Sequence, residues 1–180
     1  MKNVLVLFAE GSEELEAITI VNILRRAGVS VTLAGLDAEA LRGSRGVMLT
    51  PDNMLDAVLH EDFDMIVLPG GQPGTNHLKA DARVLKLVQN MAQQDKYVAA
   101  ICAAPSVLAT AGLLDGKQAT SFPGALTPFP KVKQQQAAVV EDGKIITSRG
   151  PGTAMDFALT LVERLAGSAK RQEVETGLQR

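Results

Sequence analysis

The chain has one cysteine, two histidines, one tyrosine and no tryptophan among its 180 residues. A lone cysteine excludes an internal disulfide, and with so few histidines no Cys/His cluster at zinc spacing can form, so no metal is expected. There is no G-x-G-x-x-G and no P-loop lysine motif, so neither a dinucleotide nor a nucleoside triphosphate is signalled and no cofactor is expected. No apolar run approaches the roughly 20 residues that span a bilayer, which sets aside a membrane partner. The opening Met1-Lys2-Asn3-Val4-Leu5-Val6-Leu7-Phe8 superficially resembles a signal peptide, but its apolar part is short and Glu10, Glu13, Glu14 and Glu16 follow at once. It reads as a first strand, and a lone thiol with no leader points to a reducing, cytoplasmic setting. Charge of neither sign dominates: 18 Lys+Arg against 20 Asp+Glu give a net charge of −2, with no basic stripe beyond the small Lys131/Lys133 pair. Nucleic acid is therefore not expected as a specific partner.

What is present is an alternation of short apolar runs with amphipathic helical segments over a length that suits one domain. Residues 3–8, 30–35, 64–68 and 97–101 read as buried strands, and 13–27, 81–94, 103–113, about 153–166 and 168–179 as helices. Segments 136–140 and 143–147 flank Glu141-Asp142-Gly143 and predict a hairpin at one edge. The expected fold is α/β, a doubly wound sandwich with a mostly parallel central sheet and that hairpin at its border. In such sheets chemistry gathers beyond the carboxyl ends of the central strands. Here that means Ala9–Glu16, Pro69–Gly74 and Cys102–Pro105.

Cys102 sits where an apolar strand turns into a helix, between the small residues Ala100, Ala103 and Ala104. Such an elbow exposes one side chain at the sheet edge, and a following helix N-terminus would favour thiolate. The alternative is a small apolar residue in a tight junction. Glu16 shares helical rows with Ile20, Ile23 and Ala27, so its carboxyl group is carried inward, where desolvation would raise its pKa and let it donate to sulfur or move a proton. Alternatively it extends the acidic cap formed by Glu13 and Glu14 after the plausible N-cap Ser12. Pro69-Gly70-Gly71 either brings an N–H to a reacting oxygen, in an oxyanion pocket of the Gly71 and Ala103 amides, or is simply a turn needing positive φ. Gly150-Pro151-Gly152-Thr153 reads as a helix start. His60 and His77, the only histidines, read as surface residues.

Gly11-Ser12-Glu13-Glu14-Leu15-Glu16-Ala17, Val67-Leu68-Pro69-Gly70-Gly71, Ala99-Ala100-Ile101-Cys102-Ala103-Ala104-Pro105 and Thr147-Ser148-Arg149-Gly150-Pro151-Gly152-Thr153 occur in order along nearly the whole chain. Together they resemble the ThiJ/PfpI superfamily, in the branch of the Parkinson disease deglycase (DJ-one) and its bacterial YajL-type relatives. The resemblance implies a flavodoxin-like fold, a homodimer, a reactive Cys102, a protonated Glu16 against its sulfur, and an oxyanion pocket from Gly71 and Ala103. It also implies a pocket or dimer-site role for Gly70, Phe122 and Pro151, for Arg45, which in these proteins reaches the partner's site, and for Arg26 in the same neighbourhood. Where one branch carries a histidine near the cysteine, this chain has Ser121-Phe122-Pro123, and the residue after the cysteine is Ala103 rather than the histidine of the superfamily's proteases. The function implied is a cofactor-independent glyoxalase or deglycase acting on small reactive carbonyls such as methylglyoxal, or on glycated proteins. The alternative is a redox-sensing chaperone of unfolded proteins whose cysteine is oxidised to sulfenic and sulfinic acid.

Overall fold

The computed structural model describes residues 1–37 and 39–180. In chain order its elements are β1 (Asn3–Phe8), α1 (Glu14–Arg26), β2 (Ser30–Gly35), β3 (Leu41–Arg42), β4 (Met48–Leu49), β5 (Asn53–Met54), α2 (Leu55–Val58), β6 (Met65–Leu68), α3 (Gly74–Ala80) and α4 (Ala82–Gln93). They continue with β7 (Tyr97–Ile101), α5 (Pro105–Thr110), β8 (Gln118–Ala119), β9 (Lys133–Gln134), β10 (Val139–Asp142), β11 (Ile145–Ser148), α6 (Ala154–Ala166) and α7 (Ser168–Gly177). Among the described residues the main sheet runs β10-β11-β7-β6-β1-β2-β5, parallel throughout except for the antiparallel β10 at its edge. This is the expected flavodoxin-like arrangement.

Side chains alternate across the strands and divide the core into two layers. Val4, Val6 and Phe8 pack with Ile20 and Leu24 of α1 and Phe157 and Leu161 of α6, with Val174 of α7 at the margin. Leu5 and Leu7 pack on the opposite face with Leu55, Leu78, Val84, Val88 and Leu108, from α2, α3, α4 and α5. Both faces of the central strands are thus covered, which is why these strands are continuously apolar.

The chain leaves β1 for β2 on one side and returns to β6 on the other. The switch point lies between the carboxyl ends of β1 and β6, where an open sheet leaves a crevice. The predicted hairpin is present but displaced. Asp142 pairs with Ile145, so the turn is Gly143-Lys144, with Gly143 at φ 64°. Asp142 stays in the strand because its carboxylate accepts from the Gln118 N–H at 2.9 Å and the Lys117 ammonium at 3.2 Å. The helix expected over 103–113 is only Pro105–Thr110. No helix among the described residues is long and apolar enough to cross a membrane.

Candidate active site

Three loops converge at the switch point and interlock through backbone. The Glu13 N–H donates to Gly70 O at 2.8 Å, and the Ser44 N–H to Ser12 O at 2.8 Å. The packing leaves no room for side chains at several glycines, Gly70 and Gly71 among them. A Cβ at Gly70 would lie 2.6 Å from Cys102 Cβ, and one at Gly71, where φ is +85°, would lie 2.4 Å from Glu13 N.

Cys102 follows β7 directly with φ 65°, a left-handed conformation that residues other than glycine adopt infrequently. Its N–H donates to Ser148 O at 3.0 Å, and its carbonyl accepts from Phe122 N–H at 2.7 Å. The elbow is therefore clamped by β11 on one side and by the Phe122 loop on the other. The backbone N–H groups of Gly71 and Ala103 are directed at the sulfur, and among the described residues neither is used by a backbone carbonyl.

Glu16 is fully buried, as its helical row predicts. Its Oε2 accepts from Gly70 N–H at 2.7 Å, while Oε1 has no hydrogen-bond partner among the described residues. The carboxyl group also meets the Cys102 thiol. Desolvation raises Glu16 to about 7 against the lowering effect of the Gly70 bond. The thiol behaves opposite to expectation. Burial first, then the facing Glu16 charge, push Cys102 up to about 12, and the Gly71 and Ala103 N–H groups only partly offset this. The physical reason is geometric: α5 begins at Pro105, beyond the turn, and is six residues long, so its dipole contributes little. Cys102 and Glu16 titrate as a pair, in which ionised Glu16 suppresses the thiolate and can also receive its proton.

The sulfur opens onto a cavity of about 310 Å³ lined by Glu13, Ser44, Arg45, Gly71, Ala103, Phe122 and Pro151, among others. Gly70, Gly71, Ala103, Phe122, Pro151 and Arg45 are thus gathered around Cys102 and Glu16. Arg45 lines the cavity of its own chain, 3.9 Å from Glu13 Oε2. Arg26 takes no part in the cavity of its own chain: it sits in the last turn of α1, ten residues beyond Glu16 and so about 15 Å along the axis, bonded to Asn22 Oδ1 at 2.8 Å and bordering a separate groove. His60 and His77 are exposed and line no part of the cavity.

The acidic cap holds a role that local sequence did not reveal. Ser12 is not the N-cap; its buried hydroxyl accepts from Ala9 N–H at 3.1 Å. Glu13 Oε2 instead accepts from the Ser44 hydroxyl at 2.6 Å, and the buried Glu14 carboxylate accepts from the N–H groups of Arg45 at 3.0 and 3.1 Å and of Val47 at 3.2 Å. Burial opposes the Glu14 charge, but these backbone donors outweigh it and hold its pKa below the usual carboxylate range. A Cβ at Gly43 would lie 2.3 Å from Glu14 Oε2. The pair latches residues 43–47 against the site and fixes Arg45 at the cavity. The spacing Glu-Glu-x-Glu is the only sequence signal for this, because the partners lie about thirty positions away. Glu14→Ala should release the loop, lowering stability by about 1–3 kcal/mol and speeding tryptic cleavage after Arg45; an unchanged cleavage rate would show that the loop holds without it.

The model of the DJ-1/PfpI family matches residues 2–164. The chain is 45% identical to protein dj-1beta of Drosophila melanogaster over 98% of its own length and 96% of the relative's. The crystal structure of that fly protein superposes with a TM-score of 0.95, covering 99% of this chain and 97% of the other. A protein of Caenorhabditis elegans named glutathione-independent glyoxalase DJR-1.2 is 33% identical over 89% of this chain and 87% of its own. The structure of oxidized Toxoplasma gondii DJ-1 is 39% identical, with a TM-score of 0.95, and covers 99% of this chain and 98% of the other. With the family model spanning most of its length and relatives of this identity over nearly all of it, this chain belongs to the DJ-1/PfpI family.

Proposed function

We propose that this protein is a cysteine-dependent, cofactor-independent glyoxalase that converts methylglyoxal-type 2-oxoaldehydes to hydroxy acids. The observation that carries the reading is the buried Glu16, poised near neutral pH against Cys102; the worm relative's name supports it. As Sγ attacks the aldehyde carbon, ionised Glu16 takes the thiol proton, and the carbonyl oxygen becomes an oxyanion beside the Gly71 and Ala103 N–H groups. Protonating that oxygen gives a hemithioacetal. Glu16 then removes the proton from the former aldehyde carbon and returns one to the neighbouring carbon. The first carbon is thereby oxidised to a thioester and the second reduced to an alcohol, so no external oxidant is required. Water cleaves the thioester, releasing lactate and restoring the thiol. The same hemithioacetal chemistry would act on glycated amino groups.

The test is to incubate protein freed of thiols and treated with a chelator with methylglyoxal and assay lactate. One lactate per methylglyoxal consumed is expected; consumption without lactate would mean that Cys102 is merely alkylated. A second reading, a redox sensor, is favoured by a single thiol held among N–H donors and a proton-bearing acid, which suits a sulfinate, with no second cysteine to resolve a sulfenate. Peroxide treatment that adds two oxygen atoms to protein that forms no lactate would select it.

The same proposal includes a homodimer in the cytoplasm. Leu15 and Ile18 of α1, with Val47 and Met48 beside the latched loop, expose large apolar side chains next to the Arg45 edge of the site. Sedimentation should give twice the chain mass, and Ile18→Glu should reduce it.

A further inference from the structure

Beyond the Cys102 cavity the surface continues into two clefts that the reaction above does not use. One, of about 190 Å³, is lined by Ser121, Phe122, Gln134, Gln135, Gln136 and Arg149. The other, of about 340 Å³, runs past Phe122, Arg149 and Pro151. Phe122 borders both clefts and the Cys102 cavity, and Pro151 borders the second cleft and the cavity. The three spaces therefore meet around one aromatic side chain whose backbone is bonded to Cys102.

Arg149 is the charged group common to the two clefts, and neither has an acidic residue in its lining. Arg149 is half-buried, and among the described residues the one hydrogen bond of its guanidinium is a 3.3 Å contact to Gln136 O. A guanidinium carries five N–H donors in a fixed fork, so most of its capacity is unspent. Several other arginines have a carboxylate within 2.6 Å, as Arg83, Arg164 and Arg171 do. The companions of Arg149 are neutral amides and a hydroxyl, which match the single charge and planar shape of a carboxylate better than the higher charge of a phosphate.

We propose that Arg149 forms a carboxylate-binding subsite beyond Phe122, so that Cys102 acts preferentially on carbonyl compounds or adducts that carry a carboxylate. This rests on Cys102 being the reacting group, as in the function proposed above. Methylglyoxal would then fill only the inner part of the site. A 2-oxoaldehyde adduct of an amino acid would place its carboxylate against Arg149.

The test needs no turnover, so it stands apart from the lactate assay. Alkylation of Cys102 by 3-maleimidopropionate is compared with alkylation by the neutral N-ethylmaleimide, and the ratio of the two rates is read. Taking the ratio corrects for any general change in thiol reactivity. In Arg149→Gln the ratio should fall about fivefold, and in Arg149→Lys it should fall less. Gln135→Glu, at an exposed position, should lower it as well by occupying the guanidinium, which keeps the test open if Arg149→Gln fails to fold. An unchanged ratio in these variants overturns the subsite. So does a fall confined to Arg45→Gln, which would assign the attraction to the cavity's own arginine. A shift in ratio without lactate formation would retain the subsite and reject the glyoxalase.

Discussion

Glu16→Gln should lower lactate formation by two to three orders of magnitude, the contribution of a positioned general base, while Cys102→Ser should abolish it. The amide keeps the shape of the carboxyl group and can still lie against the thiol, but it can neither take the thiol proton nor shuttle one between carbons. The pH profile separates this role from a structural one. Wild-type activity should rise with pH through about 7, as Glu16 ionises, and that limb should be missing in the variant. Stability should move the other way. Glu16 is raised from 4.5 to about 7 in the folded protein, so between those values the folded state binds the proton that the unfolded chain has released. Its contribution is full below pH 4.5 and is lost as pH rises through about 7. That loss amounts to about 3 kcal/mol. Denaturant titrations at pH 5 and pH 8 should show wild type losing roughly that amount relative to Glu16→Gln. Equal pH dependence in the two proteins would mean that Glu16 is not held near neutrality by burial.

This opposition says what the site is built to do. A fold selected for stability alone would place leucine at position 16, in line with Ile20 and Ile23. The chain instead carries an acid into its core and secures it with a single backbone donor, the Gly70 N–H at 2.7 Å. The cost of that burial is the source of a proton acceptor matched to neutral pH. The Cys102 backbone is strained in the same sense, at φ 65°.

The parts of this arrangement differ in how far they could be read from the chain. The strands were legible because both faces of β1, β6 and β7 are buried, which leaves continuous apolar runs. Glu16 was legible because α1 has a clear stripe on which a carboxylate is out of place. The helix α3 was not, since in Gly74–Ala80 only Leu78 among the large apolar residues is buried and no stripe exists. Two-residue strands such as β3 and β4 carry no period at all. The hairpin was found but displaced, because its turn is set by the hold of Gln118 and Lys117 on Asp142, a contact between distant segments. The Glu13 and Glu14 latch was misread for the same reason: acidic residues in a first helical turn have a sufficient local explanation, and only the fold brings residues 43–47 to them. Arg26 shows a limit of another kind. Its place on α1 was read correctly as helix, but a helix that begins at the carboxyl edge of the sheet ends at the opposite edge, so Arg26 does not reach the site of its own chain, and a dimer-site role would have to be played in a partner's.

Gly71→Ala should be a strongly damaging single-methyl change. Two effects act on the same atom. The added Cβ must tolerate φ +85°, which disfavours any L side chain by about 1–2 kcal/mol, and it must displace backbone, since Glu13 N lies 2.4 Å away and Gly11 O and Ser12 C lie 2.8 Å away. Backbone cannot swing aside as a side-chain end can, so overpacking adds about 1–3 kcal/mol. Gly28 isolates the first effect. It has φ +75° with nothing within 4 Å of a Cβ, so Gly28→Ala should show the conformational cost alone and leave Cys102 reactivity as it is. Denaturant midpoints of the two variants, read beside their N-ethylmaleimide rates, should differ by the packing term. Only Gly71→Ala should also change the rate, because moving the 70–71 loop withdraws an N–H from the sulfur and shifts the one that holds Glu16. Equal destabilisation in the two variants would mean that the loops after β1 and β6 can part without loss, and the interlock inferred from their backbone contacts would not be what shapes the site.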